Sequence, residues 1–503
     1  MGAPISLAVG IACLGALLCT APARAQVEAP GGPAPPALPQ PPDARPNVVV
    51  VMTDDQTVGS MHAMARTRAL IGAAGTTFTR SFVNNPRCCP SRSTFLTGQL
   101  SHNHGVITNG PPRGGWPALR TSNWLPTWLQ AAGYRTAHVG KFLNHYGRTR
   151  PEEVPAGWDE WHGTVDPTTY RYFNYRVNEN GELRTYGEDR DPDDYQTDFT
   201  TRRATELIDE LGSDAEPFFL SVAYLAPHTG SPREPGDPFV GTPAVAPRHK
   251  GLFDFAPLPR PPSFNERDLS DKPFALRRFR LSRGIVGEIT SLYRQRQESL
   301  LSVDEGVERI VGALERADEL ANTLIVFTSD NGYLSGEHRL PHGKAKVYEP
   351  GIRVPLLVRG PGFPVGARRR QLVSNADLAP TILDVSGARP GRRQDGRSLV
   401  PLANDPRAGS GRSVLIEIAQ GRRMRTTAIR TSRYLYAEHR IGARELYDLL
   451  LDPYELASVH RDRSYRPVRR RLALRLDALR DCRGPRRCDG TSARRARRAR
   501  PRR

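Results

Sequence analysis

Asn47-Val48-Val49-Val50-Val51-Met52, running into Thr53-Asp54-Asp55-Gln56, decides how this chain folds. A nearly unbroken apolar, β-branched run without polar alternation is the pattern of a strand buried on both faces in a parallel sheet. Pro217-Phe218-Phe219-Leu220-Ser221-Val222, Thr323-Leu324-Ile325-Val326-Phe327 and Val354-Pro355-Leu356-Leu357-Val358 repeat that character. Helices intervene: Leu300, Val303, Val307, Ile310, Val311 and Leu314 fall at helical spacing, and residues 125–132 read as a shorter helix before Gly133. Strands alternating with amphipathic helices predict an α/β fold with a doubly wound sheet. A chain of 503 residues has room for one large and one small domain. Apolar periodicity fades over residues 387–398, and beyond it residues 413–418 and 424–436 read as strands of a smaller sheet. The expected division is 1–25, 26–46, 47–390, 391–481 and 482–503, with no internal repeat.

The two ends are unlike the middle. Residues 5–21 are almost wholly apolar or small, and Ala21-Pro22-Ala23-Arg24-Ala25 offers an A-x-A cleavage site before Gln26. Residues 1–25 therefore read as a secretory signal peptide, although no Lys or Arg precedes the apolar stretch. That stretch is short for a membrane span, and Leu18 stands before Cys19 where a lipoprotein signal wants a small residue. The expected location is secreted or periplasmic, with no membrane span. Residues 26–46, rich in Pro, Ala and Gly, read as an extended linker. Cys482 and Cys488 are spaced for a local disulfide in an oxidising compartment, the alternatives being two free thiols or half of a metal knuckle.

Charge is equally uneven. Residues 469–503 hold 15 Arg against 3 Asp, so +12 of the formal net charge of +19 lies in the last 35 residues. Ser492-Ala493-Arg494-Arg495-Ala496-Arg497-Arg498 has no interleaved aromatics, which fits a solvated tail better than a reader of nucleic-acid bases. Non-specific attraction to anionic polysaccharides or envelope polymers follows by counterion release, without a specific nucleic-acid partner.

Chemistry gathers at the strand ends. Asp54 and Asp55 follow a buried strand at its carboxyl end, where α/β folds place their ligands, and their hard oxygen donors suit a divalent cation. An N-cap would use one aspartate and leave the other solvated. The strand over residues 323–327 continues through Thr328-Ser329 into Asp330-Asn331-Gly332, a second acid-and-amide pair at a second strand end. Between them stands Cys88-Cys89-Pro90-Ser91-Arg92, continuing as Ser93-Thr94-Phe95-Leu96-Thr97-Gly98. Adjacent cysteines in an exported chain are ordinarily a disulfide resource, and proline ordinarily marks a turn.

This last stretch resembles the signature from which type I sulfatases make their nucleophile. In that family the leading cysteine of Cys-x-Pro-Ser-Arg is oxidised to Cα-formylglycine, whose hydrate offers one hydroxyl to attack sulfur and one to expel the product. The resemblance implies an alkaline-phosphatase-like doubly wound sheet with a smaller C-terminal α+β domain. It implies that a formylglycine-generating enzyme converts Cys88, and that Asp54, Asp55, Asp330 and Asn331 hold Ca²⁺ with the modified Cys88. Gly140-Lys141-Phe142-Leu143-Asn144, after an expected strand over residues 134–139, resembles the family's Gly-Lys element and makes Lys141 a sulfate ligand. Ala226-Pro227-His228-Thr229 resembles its Pro-His element, making His228 the general acid, while Lys344 matches the second sulfate-binding lysine and Arg92 orients the modified side chain. Taken singly, each has an ordinary explanation: a solvated lysine, a structural histidine, an arginine paired with a carboxylate. Their joint occurrence in one order at strand ends favours the site.

The resemblance spans residues 46–459 and is strongest toward the N-acetylglucosamine-6-sulfatase and extracellular heparan 6-O-endosulfatase branch. Pro155-Ala156-Gly157-Trp158, Leu300-Leu301-Ser302-Val303-Asp304, Ser329-Asp330-Asn331-Gly332-Tyr333 and Glu445-Leu446-Tyr447-Asp448 share in it. One position departs: Leu143 stands where many sulfatases have a histidine, so the base of the second step is left open, with His145 and His338 as candidates. The expected substrate is a sulfate ester, of a sulfated glycan or of N-acetylglucosamine 6-sulfate, in a pocket walled by loops over residues 164–194 and 228–271. A phosphonate or phosphate monoester hydrolase of the same superfamily would share these features. A non-catalytic polyanion-binding protein is the alternative of another class, and the intact lysine, histidine and metal positions argue against it.

Overall fold

The computed structural model describes residues 45–491; the expected signal segment with Cys13 and Cys19, all but the end of the expected linker, and the arginine run from Ser492 onward lie outside the described residues. Asn47–Thr53 forms a strand near the middle of a ten-stranded sheet. It pairs in parallel with Thr323–Ser329 on one side and Phe218–Ala223 on the other, with Val50 opposite Val326 and Ser221. Arg135–Gly140 and Glu160–Thr164 continue the parallel block.

The two faces of the sheet explain the unbroken apolar runs. Val48, Val50 and Met52 join one apolar cluster with Leu125, Trp128 and Ile382, while Val49 and Val51 join another with Leu207, Val303 and Ile310. Leu324 and Val326 divide from Ile325 and Phe327 in the same way. With helices covering both faces, every residue of the strand is buried, and each of its Val and Met side chains contributes about 1.5–3 kcal/mol. The helix expected over residues 300–314 is the last part of Arg283–Arg316, capped where Ser282 Oγ accepts from the Ile285 N–H at 3.3 Å. Its first two turns are largely exposed, and its buried face begins only at Ile289 and Leu292.

Three expected elements are built differently. Residues 354–358 are not one strand, because Pro355 has no N–H to give a ladder. Arg353–Val354 joins Ser81–Phe82 in a three-stranded sheet, and Leu356–Arg359 runs antiparallel to Thr323–Ser329 in the main sheet. Residues 424–436 form parts of two strands, Arg423–Arg430 and Tyr434–His439. The turn between them closes where the Thr431 N–H donates to Tyr434 O at 2.8 Å and the Tyr434 N–H to Thr431 Oγ1 at 2.9 Å. Residues 164–194 are only partly loop: Tyr175–Glu179 and Glu182–Tyr186 form a hairpin that completes one edge of the main sheet.

The second sheet is four-stranded and antiparallel, from Val414–Gln420 to Arg444–Asp448. Leu472, Leu476 and Leu479 of the Arg466–Leu479 helix cover one side of it. On its other side Ile416 and Leu435 share a cluster with Phe82, Leu334 and Tyr348 of the main body. Cys482 and Cys488 form the expected disulfide. No described helix is long and apolar enough to cross a membrane.

His102 ties the main body to this sheet. Its Nδ1 lies 2.9 Å from Glu417 Oε1 and its Nε2 2.9 Å from Cys482 O, so both ring nitrogens donate. Burial alone would lower its pKa, but the hydrogen bond and charge of Glu417 raise it to about 9. A histidine whose folded pKa exceeds the unfolded value of about 6.5 adds stability that is complete below that value and lost as pH rises through the folded one. His102→Gln is therefore expected to destabilise the protein more at pH ~6 than at pH ~9.5, by on the order of 2 kcal/mol in denaturant unfolding. An equal cost at both pH values would contradict the assignment.

Candidate active site

The carboxyl ends of the two central strands face the start of a helix. Asp54 and Asp55 leave the first strand, with Asp55 at φ 69°, and its N–H donates to Asp330 Oδ1 at 3.2 Å beyond the neighbouring strand. Cys88 is the first residue of the Cys88–Thr97 helix, which stops at Gly98 with φ 63°. Pro90 lies within the first turn, where a missing N–H breaks no helical hydrogen bond. A turn further on, Arg92 is buried: Nε donates to Asp330 Oδ2 at 2.8 Å and Nη1 to Lys141 O at 2.8 Å, and Nη2 is 3.5 Å from Asp54 Oδ2.

Lysines enter from two other segments. Gly140 ends its strand at φ 96°, where a Cβ would lie 2.2 Å from Ala223 O, so only glycine lets the following Lys141 N–H reach that oxygen at 2.8 Å. The buried Lys141 ammonium pairs with Asp54. Lys344 Nζ pairs with Asp55 and sits 2.8 Å from Cys88 Sγ and 3.7 Å from Asp54 Oδ1. Cys88 Sγ is 3.4 Å from Asp54 Oδ1. His228 Nδ1 is 2.8 Å from Thr229 O, an acceptor only, so Nδ1 carries hydrogen and Nε2 faces Asp55 Oδ2 at 3.6 Å.

Three carboxylates thus meet three cations in one buried site. Burial pushes the Cys88 thiol up to about 12, with Asp330 and Asp55 adding to it and Lys344 opposing, so at neutral pH the sulfur is protonated and a poor nucleophile. Burial pushes Lys141 down to about 7. Burial also opposes the Lys344 charge, but Asp55, Cys88 and Asp330 outweigh it and hold its pKa above the ordinary value. His228 is held well below the ordinary histidine value by burial first, then by the Lys141 and Lys344 ammoniums.

The donor set suits a hard divalent cation. Asp54, Asp55, Cys88 and His228 bring possible ligand atoms within 4.8 Å of one another. Asp330 and Asn331 adjoin this group. Asn331 Nδ2 donates to Asp55 Oδ1 at 2.5 Å, leaving Asn331 Oδ1 buried without a hydrogen-bond partner, as an oxygen awaiting a cation would be.

Sequence reasoning missed several supporting residues. Arg296, on the long helix, donates to Asp55 O at 2.5 Å and Pro227 O at 2.8 Å, and lies 4.2 Å from the Tyr333 ring centroid. It holds the segments bearing Asp55 and His228 together, yet in sequence it is one more charge on a polar helical stretch. Arg296→Met strips two carbonyls of their donor, at about 1–3 kcal/mol each. The expected loss is ~3 kcal/mol in unfolding free energy, with kcat/KM down about 10- to 100-fold through misplacement; unchanged stability would contradict this role. Tyr170, from the 164–194 segment, places its ring 4.5 Å from Lys141 Nζ and 4.9 Å from the His228 ring.

The two histidines suggested as second-step bases stand apart. His145 gives its backbone N–H to Asp166 Oδ2 at 2.7 Å, and His338 Nδ1 is 2.6 Å from Glu266 Oε2 with its ring against Tyr348. Among the described residues neither hydrogen-bonds or ion-pairs with Cys88, Lys141 or Lys344. Leu143 is buried in the apolar cluster beside Phe142.

Comparison with known proteins agrees with this geometry. A family model described as Sulfatase matches residues 46–388, and one described as N-sulphoglucosamine sulphohydrolase, C-terminal, matches residues 336–482. A putative extracellular sulfatase Sulf-1 homolog of Caenorhabditis elegans is 39% identical over 368 residues, 72% of this chain and 49% of that one. The N-acetylglucosamine-6-sulfatase of Homo sapiens is 38% identical over 371 residues, 71% of this chain and 64% of that one. The chain thus spans about half to two thirds of these relatives' lengths.

Among solved structures, one in complex with its substrate D-glucosamine-2-N,6-O-disulfate superposes with a TM-score of 0.72 at 23% identity, covering 86% of this chain and 97% of that one. The phosphonate monoester hydrolase of Agrobacterium radiobacter gives 0.63 at 24% identity, covering 87% and 95%. At such identities these two likenesses establish the fold, an alkaline-phosphatase-like α/β architecture with a smaller C-terminal sheet. The Sulfatase match begins one residue before the first strand and ends just past the Leu378–Ser386 helix, so it contains every segment that builds the site, and the chain belongs to the sulfatase family.

Proposed function

We propose that the protein is a sulfuric ester hydrolase acting on a sulfated sugar, with Cys88 in the formylglycine form and Ca²⁺ held by Asp54, Asp55, Cys88, Asp330 and Asn331. The observation that carries this reading is the position of Cys88 Sγ, at a helix N-terminus, 2.8 Å from Lys344 Nζ and 3.4 Å from Asp54 Oδ1. Its raised pKa makes the unmodified thiol unsuited to attack. Formylglycine supplies the hydroxyl nucleophile that a thiol lacks, and the cation supplies charge against the sulfate.

The chain's own residues do the rest. Lys141, just after its strand, and Lys344, from the loop before the Glu349–Ile352 helix, converge on the same carboxylate pair and bind the sulfate oxygens, aided by the positive end of the Cys88–Thr97 helix. Arg92 fixes Asp330 and the Lys141 backbone to one another, which keeps the sulfate ligands in place. His228 Nε2 faces the same pocket; burial and then the two ammoniums depress its pKa, the sulfate's charge offsets the ammoniums, and the ring protonates the leaving alcohol. Residues 47–390 serve as the catalytic region and 391–481 as the smaller C-terminal one. Relatives named as extracellular and N-acetylglucosamine-6-sulfatases support export and a sulfated amino sugar or glycan as substrate; the formylglycine at Cys88 would be made by a formylglycine-generating enzyme.

The same site geometry would admit a phosphonate or phosphate monoester, so the test compares them. Protein from a host that makes formylglycine is assayed on an aryl sulfate, an aryl phosphate and an aryl phosphonate. Aryl sulfate is expected to be preferred by at least ~10²-fold in kcat/KM, with a comparable loss after chelation that Ca²⁺ restores. Faster phosphonate turnover, or full activity after chelation, would overturn the proposal.

A further inference from the structure

A cleft beside Cys88 is lined by cations without acids. Arg87 immediately precedes Cys88, and the Ala345 N–H donates to Pro86 O at 3.1 Å, so the segments carrying Cys88 and Lys344 meet to form one wall. The C-terminal sheet supplies the facing wall. The cavity between them measures about 260 Å³; Arg87, Lys346, Arg425 and Arg440 line it, Leu276 and Ile441 give it apolar surface, and no Asp or Glu reaches it.

These charges are uncompensated. Among the described residues none of the four forms an ion pair, and Arg87 Nε is buried with no hydrogen-bond partner. Burial, and then Arg278, Arg87 and Arg425, depress the Lys346 pKa. Other arginines on and around this sheet do have acid partners: Arg430 meets Glu349 at 2.5 Å, Arg433 meets Asp448 at 2.6 Å, and Arg480, at the end of the covering helix, meets Glu438 at 2.5 Å. Like charges gathered around one cleft repel, and planar guanidinium forks match carboxylate and sulfate oxygens, so the missing partner is an anion.

We propose that this cleft is a subsite for a second oxyanion, a carboxylate or sulfate on the sugar adjoining the one whose sulfate ester meets Cys88. The substrate class is then a polyanionic glycan and not an isolated monosulfated sugar. Leu276 and Ile441 offer an apolar surface to the C–H face of that adjoining ring, while the cations read its charge. This inference rests on the sulfatase reading of the Cys88 site.

The test uses the full chain and three tetrasaccharides that carry no sulfate ester: alternating N-acetylglucosamine and uronic acid, the N-sulfated form of the same, and neutral N-acetylglucosamine. Each is titrated calorimetrically into the wild type, Arg425→Ala/Arg440→Ala and the conservative Arg425→Lys/Arg440→Lys, and each is tried as an inhibitor of aryl sulfate turnover. Both anionic probes are expected to bind the wild type at least ~10-fold more tightly than the neutral one, to weaken with salt and to inhibit competitively. The alanine pair should lose about that tenfold, with the lysine pair recovering part of it. Stronger binding of the uronate probe assigns the subsite to a carboxylate, and of the N-sulfated probe to a sulfate. Equal binding of charged and neutral probes, undiminished affinity in the alanine pair, or non-competitive inhibition would each overturn the subsite. Binding as expected without any aryl sulfate turnover would uphold the anion site and count against the sulfatase reading.

Discussion

Cys88→Ala is expected to lower kcat for an aryl sulfate by at least about 10⁴-fold, the scale on which enzymes lose a covalent nucleophile, with little change in stability. The two effects separate because of where the side chain lies. Cys88 Sγ touches Lys344 and Asp54 in the site, and Lys344 keeps its pairing with Asp55 when the sulfur is gone. Its neighbour supplies the contrast. Cys89 belongs to an apolar cluster under the helix, so Cys89→Ala should cost ~1 kcal/mol of stability and leave most activity. Near-normal turnover by Cys88→Ala, or greater loss from Cys89→Ala, would refute the assignment of the nucleophile.

Asp54→Asn is expected to have the next largest effect, a fall in kcat/KM of about 10³-fold or more with loss of calorimetric Ca²⁺ binding. Asp54 accepts from Cys88 and Lys141, lies near Arg92, and is within 3.7 Å of Lys344. Removing its charge leaves two carboxylates against three cations, so millimolar Ca²⁺ should not restore activity. Breaking buried pairs also costs about 3–5 kcal/mol, and a drop in Tm should accompany the loss. Undiminished Ca²⁺ binding would show that the metal lies elsewhere.

Much of this site was legible because its residues follow runs whose burial is written in the sequence. Once Asn47–Met52 and Thr323–Phe327 are read as neighbouring parallel strands, Asp54, Asp55, Asp330 and Asn331 must meet at their carboxyl ends. Cys88 and its lysines were legible by resemblance, and the structure draws them together from three segments. What stayed hidden depends on three-dimensional packing. Arg296 reaches Asp55 across more than two hundred residues from a helical face that looks solvent-bound in sequence. The division of residues 354–358 at Pro355 reflects a bond that proline cannot make, a local fact masked in the sequence by the apolar run around it. The cationic cleft is likewise invisible in sequence, since Arg87 and Arg425 come together only when the second sheet closes against the first.

The central claim is chemical, and it is tested most directly at one short peptide. Trypsin cleavage after Arg87 and Arg92 releases Cys88-Cys89-Pro90-Ser91-Arg92 from the active protein. Its mass is predicted to show an aldehyde in place of the Cys88 thiol, trapped as a hydrazone when a hydrazide is added, in a fraction that rises with specific activity. A free thiol at Cys88 throughout a fully active preparation would contradict the account.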